Sequence, residues 1–212
     1  LWRIDGGINN GSLNISSATP LQGNPDVTTL DISGLYGFDK YNNKPYYDFI
    51  CWSGSYPDIE TLIISDQTYT KFVCRKAQMP NLTEVKTHNA DYPHRFSIKT
   101  TQQGMMNSTN LEGEYEITDM TDLSTDIYAG TKVSKLKISG SYSTVGNSSF
   151  FNCPNLTDVD LETTAEPITF GTYQFGYYGD RTPTTDYPLR SVTLNGTSIT
   201  RSPLVTKVPF NM

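Results

Sequence analysis

The 212-residue chain carries 16 Lys and Arg against 22 Asp and Glu, a net charge of −6 with a pI near 4.8. An acidic chain with no Lys/Arg cluster is a poor partner for nucleic acid or an anionic membrane. No apolar run approaches the ~20 residues that span a bilayer, and a charged fraction of 18 % amid abundant Ser, Thr, Asn and Tyr is the look of an exported, loop-rich β protein.

In chain order, residues 1–26 read as an N-terminal cap. Trp2, Ile4, Leu13 and Ile15 supply its apolar side chains, and Ser12–Ile15 looks like an incomplete rung. Seven segments then repeat one template: an apolar residue, two arbitrary ones, an apolar residue, one arbitrary one, an apolar residue. They begin at Val27, Ile59, Leu82, Leu111, Val133, Leu156 and Leu189; the fourth has one extra residue, and the third ends on Thr87. Leu62 to Val85 and Leu136 to Val159 are each 23 residues apart, while Leu30 to Leu62 is 32 and Val159 to Val192 is 33. A period in the twenties with this template marks a leucine-rich solenoid. Each template ends in an in–out alternation, so each reads as a short strand. One strand cannot bury its apolar side alone. Parallel stacking buries Leu30, Leu62, Val85, Tyr115, Leu136, Val159 and Val192 in one ladder, with Ile32, Ile64, Ile117, Ile138, Leu161 and Leu194 in a flanking column. The expected fold is thus a β-rich solenoid, a right-handed superhelix with a short parallel strand per rung and mostly irregular outer segments. About seven rungs occupy residues 27–198, and 199–212 form a C-terminal cap or partial rung in which Pro203 and Pro209 discourage a further strand.

The connections carry a second signature. Val145-Gly-Asn-Ser-Ser-Phe150-Phe-Asn-Cys153-Pro-Asn-Leu156-Thr-Asp-Val159-Asp-Leu161 resembles the repeat of BspA-like bacterial surface proteins, a leucine-rich-repeat subtype, and Met105–Ile117 resembles that family's glycine-containing strand variant. The resemblance spans residues 27–194, is most specific at 145–161, and departs from the family at Lys71–Pro80, where no glycine turn precedes the aromatic residue. It implies a curved solenoid with surface interaction roles and no catalytic residues. It also implies that Cys153 is a small core residue and that the bacterial chain leaves its Asn-x-Ser/Thr sequons, such as Asn81 and Asn195, unmodified.

Cys51 and Cys74 lie 23 residues apart in equivalent slots, so stacking places them next to each other. That spacing permits a disulfide; the preferred reading is two buried, reduced thiols. His88 and His94 are the only histidines and pair with no cysteine at ligand spacing, so no metal or cofactor is expected. No nucleophile elbow, phosphate loop or HExxH motif is present, and no catalytic residue is assigned. On the exposed strand face Glu84 and Lys86, Glu114 and Glu116, Lys135 and Lys137, then Asp158 and Asp160 follow one another. The last three pairs run acidic, basic, acidic, the pattern of a cross-strand charge ladder.

Aromatic residues concentrate in 36–56 and 170–187, the two stretches that exceed the 23-residue unit. Phe49, Phe170 and Phe175 suit the outer side of the solenoid. Tyr46, Tyr47, Trp52, Tyr177 and Tyr178 are the candidate binding residues, because Tyr and Trp carry recognition hot spots and stack on sugars. The resulting expectation is a non-enzymatic, exported domain, cell-surface (lipid-anchored or not) or secreted, that binds a protein partner such as a host protein. A carbohydrate-binding module is the alternative. No signal peptide opens the chain, as expected of a mature or trimmed exported protein.

Overall fold

The computed structural model describes residues 2–3, 6–9, 13–14, 27–39, 44–51, 56–74, 79–101, 110–123, 128, 130–150, 153–171 and 189–198. In chain order the strands are β1 (Trp2–Arg3), β2 (Gly6–Asn9), β3 (Leu13–Asn14), β4 (Thr29–Asp31), β5 (Leu35–Asp39), β6 (Lys44–Cys51), β7 (Thr61–Ile63), β8 (Tyr69–Cys74), β9 (Glu84–Lys86), β10 (Arg95–Thr101), β11 (Glu112–Met120), β12 (Lys132–Gly140), β13 (Thr144–Val145), β14 (Asp158–Thr163), β15 (Thr169–Phe170), β16 (Ser191–Leu194) and β17 (Thr197–Ser198). No helix occurs among the described residues. The fold is a β-solenoid of parallel stacked coils.

The template strands pair in parallel as their spacing requires, but in two ladders rather than the single one expected. The first runs β1-β4-β7-β9, with Trp2, Leu30, Leu62 and Val85 in register. The second runs β11-β12-β14-β16, with Tyr115, Leu136, Val159 and Val192 in register. From Leu30 to Val192 these central residues are all buried. Alternate positions along each strand point to opposite faces, so one apolar column necessarily faces the interior.

The break between the ladders lies at Val85 and Tyr115. Coil stacking continues there, because the Glu112 amide donates to the Thr83 carbonyl (3.0 Å). The Val85 amide, however, donates to the Tyr115 hydroxyl (3.3 Å) instead of to a strand carbonyl. The cause is a corner, Thr87–His94, inserted after β9. Beyond it β10 becomes the neighbour of β11, with Phe96 opposite Ile117. The flanking column therefore continues through buried Phe96, where the third template offered Thr87.

A second line of strands, β6-β8-β10, lies beyond the corners and joins β11, extending the strand content past what the template marks. Phe49 and Phe72 are register partners in it, as are Cys51 and Cys74. The expected adjacency of those two cysteines holds along the backbone. The first aromatic-rich stretch is not a plain loop: β5 and β6 pair antiparallel, with Gly37 opposite Tyr46, so its second strand is itself part of the solenoid wall. β1 covers the first template strand. At the other end Asn195 (φ 49°) and Gly196 (φ 74°) form a two-residue turn that folds β17 antiparallel onto β16. Positive φ at both central residues is what such hairpins need, and Asn-Gly meets it with little strain.

Tyrosines fill the corners of the core. Tyr56, Tyr69, Tyr128 and Tyr142 are buried. The Tyr69 hydroxyl accepts from the Ser65 amide (3.0 Å), and that of Tyr142 donates to the Ile138 carbonyl (3.0 Å). The Tyr69 and Tyr142 rings thus add apolar bulk while their hydroxyls satisfy backbone groups that a corner would otherwise strand.

Candidate functional site

The second ladder presents a broad polar face. Because side chains alternate along a strand, the residues flanking the buried Tyr115–Val192 column point outward in two rows. Register places Glu114, Lys135, Asp158 and Ser191 in one row and Glu116, Lys137, Asp160 and Thr193 in the other. The corner Asp91–Arg95 rises beside β11 as a wall, and floor and wall together bound a trough of about 590 Å³.

The wall is held by local bonds and by both histidines. Asn89 Oδ1 accepts from the amides of Asp91 (3.0 Å) and Tyr92 (3.1 Å), and the Thr87 amide donates to the Pro93 carbonyl (2.8 Å). His88 Nε2 lies 3.0 Å from Asp31 Oδ2, and His94 Nε2 lies 3.0 Å from Glu84 Oε1. Asp31 is buried, which by itself raises its pKa. Hydrogen bonds from the Ser33 hydroxyl and amide, together with His88, outweigh that burial and hold the carboxyl below its ordinary value. Glu84 is likewise held below its ordinary value, burial being outweighed by Lys86 and His94. At the wall's crest Tyr92 is 58 % exposed, and the Arg95 guanidinium lies 5.9 Å from its ring centre.

The expected charge ladder is present in register, and its ion pairs depart from it in one respect. Lys135 Nζ meets Glu114 Oε1 at 2.8 Å, straight across the ladder. Lys137 Nζ instead meets Glu162 Oε1 at 3.1 Å, two residues beyond its register partner Asp160. Glu116 on its other side is engaged by Arg95 (3.5 Å), a cation absent from the expected ladder. Hydrogen bonds to these carboxylates push both lysines above their ordinary pKa. Asp158 and Asp160 are left with hydroxyls. Thr157 donates to Asp158 (2.6 Å) and Thr193 to Asp160, and neither carboxylate has an ion pair among the described residues. Chemically the trough offers a rigid array of paired charges, two uncommitted carboxylates and one exposed ring.

Of the residues expected to bind a ligand, Tyr47 is half-buried, packed on the core and edge-to-face with Tyr69 at 5.9 Å between ring centres. Tyr46 lies on β6, and its side chain is outside the described residues, as are Trp52, Tyr177 and Tyr178. None of them contributes to the trough lining that the structure describes. Tyr92 and Arg95 do, and sequence reasoning passed over them. The available signal was the third template's failure to end on an apolar residue, followed by Asn, Asp and Pro within seven residues, which is turn chemistry.

The Cys153 thiol is buried and donates to the Tyr128 carbonyl (3.1 Å); burial pushes it up to about 11, so it stays a neutral packing group. Among the described residues no group of three His, Cys, Asp or Glu is placed to hold a metal ion, and no helix is long and apolar enough to cross a membrane. No protein-family model, curated protein or solved structure matches the chain.

Proposed function

We propose that the chain is a non-catalytic recognition module of the exported leucine-rich-repeat type, related to BspA-like surface proteins, that binds a protein partner on the face of its second ladder. The observation that carries this reading is the trough itself: a preformed polar surface on a rigid sheet, walled by a pinned corner that displays Tyr92. Rigid scaffolds with polar side chains fixed in register favour recognition, since little ordering is needed on binding. The Asn152-Cys153 step and the loop-rich, weakly charged composition support export to a cell surface or medium.

A saccharide is the second reading, favoured by one exposed tyrosine beside the carboxylates and the hydroxyls of Ser191 and Thr193. One experiment separates the two. Immobilised wild-type chain and a Tyr92→Ala variant of equal melting temperature are presented to a glycan array and to candidate surface proteins. Protein retention that falls with Tyr92→Ala supports the first reading; retention of polysaccharide alone supports the second and overturns the first.

A further inference from the structure

We infer that the occupant of the trough is an extended peptide segment carrying basic side chains at alternate positions, seated along β14 with its cations over Asp158 and Asp160. This rests on the protein-recognition reading and names its partner class.

The charge layout selects the sign. Arg95, Lys135 and Lys137 each have a carboxylate of their own, in Glu116, Glu114 and Glu162. Lys135 and Lys137 lie near Asp158 and Asp160 but make their direct ion pairs with Glu114 and Glu162. On the far side of β14 the register partners are Ser191 and Thr193, which carry no charge. The acid–base alternation therefore stops one strand early. On β16 the two carboxylates face a row of hydroxyls where the pattern calls for cations, and a bound ligand completes the ladder by supplying them.

Geometry selects the shape. Asp158 and Asp160 are two residues apart on one strand, about 6.6 Å along its axis at ~3.3 Å per residue. An extended peptide repeats its own side chains at that same interval, so alternate Lys or Arg residues meet both carboxylates without distortion. A phosphate-bearing or acidic ligand meets repulsion here. A bare divalent ion would sit among the lysine ammonium groups in the neighbouring row. Tyr92 across the trough offers its ring to a further apolar or cationic side chain.

The test uses the intact chain and two labelled synthetic peptides, one alternating lysine with threonine and one alternating glutamate with threonine, with binding read by fluorescence anisotropy. The lysine peptide should bind at least about tenfold more tightly, and its advantage should shrink as salt rises. The decisive variant is Ser191→Lys with Thr193→Lys, which places cations opposite Asp158 and Asp160 and completes the ladder within the protein. It should weaken lysine-peptide binding about tenfold while leaving the melting temperature unchanged or higher. Asp158→Asn with Asp160→Asn should weaken it similarly. Equal binding of the two peptides, or lysine-peptide binding untouched by the Ser191/Thr193 pair, overturns the inference. If protein partners are still retained in a Tyr92-dependent way after either result, the recognition reading stands without it; retention of glycans alone removes both.

Discussion

In the first ladder the template strands β4, β7 and β9 are three residues long; in the second, β11 and β12 run for nine. The difference lies in where the polar residues after the template send their oxygens. Asp31 accepts from the amide of Ser33, Ser65 from that of Gln67, and Thr87 from that of Asn89, each two residues ahead. Such local capture gives the backbone an alternative to the ladder and turns the chain into a corner. In the second ladder the Thr118 hydroxyl donates across to the Phe96 carbonyl and Ser134, within its template, to the Gly113 carbonyl, bonds that join strands, and the local capture returns only at the end of β14, where Thr163 accepts from the Ala165 amide. The consequence reaches the surface. In the first ladder Asp31 and Ile63, on the outward row, are buried, and His88 reaches back to Asp31; in the second, the row of Glu116, Lys137 and Asp160 is part-exposed. One template thus yields a covered face where corners intervene and an open face where strands run straight.

The interior should not share this asymmetry. Leu62→Ala and Leu136→Ala each empty a buried ladder position and should each cost about 2–5 kcal/mol in chemical denaturation. A large loss in one ladder alone would show that the two halves do not share one cooperative core. The next effect belongs to the first ladder only. Asp31→Asn disturbs a buried carboxylate with three donors and should cost about 1–3 kcal/mol at neutral pH. Asp158→Asn, on the open face, should stay within about 0.5 kcal/mol of wild type. Because the folded-state pKa of Asp31 lies below its ordinary value of 3.8, its contribution is fully present above that value. It is lost as pH falls through the lower folded value, so the gap between wild type and Asp31→Asn should close in acid.

Much of this was legible in the sequence, for a physical reason. Leu30, Leu62, Val85, Leu136, Val159 and Val192 announce themselves because the in–out period of a strand leaves a one-dimensional trace. The same spacing gave the register of Glu114, Lys135 and Asp158 and of Glu116, Lys137 and Asp160. The corner Thr87–His94 was not legible as a wall. Its bonds to Asp31 and Glu84 reach 57 and 10 residues back along the chain, and no local pattern encodes them. The pairing of Lys137 with Glu162 was hidden for a related reason: a long side chain chooses among several acids, and that choice depended on Arg95 arriving from beyond the corner to engage Glu116. The Asn195-Gly196 hairpin is legible as turn chemistry, whereas the bond by which the Asn195 side-chain oxygen accepts from the Thr163 amide (2.8 Å) spans 32 residues and leaves no local trace.

A smaller effect is expected where a corner tyrosine is left unsatisfied. The Tyr128 hydroxyl is buried without a hydrogen-bond partner among the described residues, whereas that of Tyr69 accepts from Ser65. Tyr128→Phe should therefore stabilise the fold by about 1 kcal/mol, and Tyr69→Phe should cost about as much. Thermal unfolding of the two variants shifts in opposite directions if this is correct; a loss in both would mean that the Tyr128 hydroxyl has a partner after all.

The smallest effect probes the open face itself. Lys137→Glu sets a carboxylate among Glu116, Asp160 and Glu162, with Arg95 as the nearest other cation on that row. These groups are part-exposed, so their attraction is weak and shortened in range by dissolved ions. The penalty should be greatest at low ionic strength and should fade as salt is added, while that of Leu136→Ala, which rests on burial and cavity formation, should persist. A salt-independent penalty for Lys137→Glu would mean that its side chain matters through packing rather than charge. The face would then be an extension of the core and not a surface held ready for a charged partner.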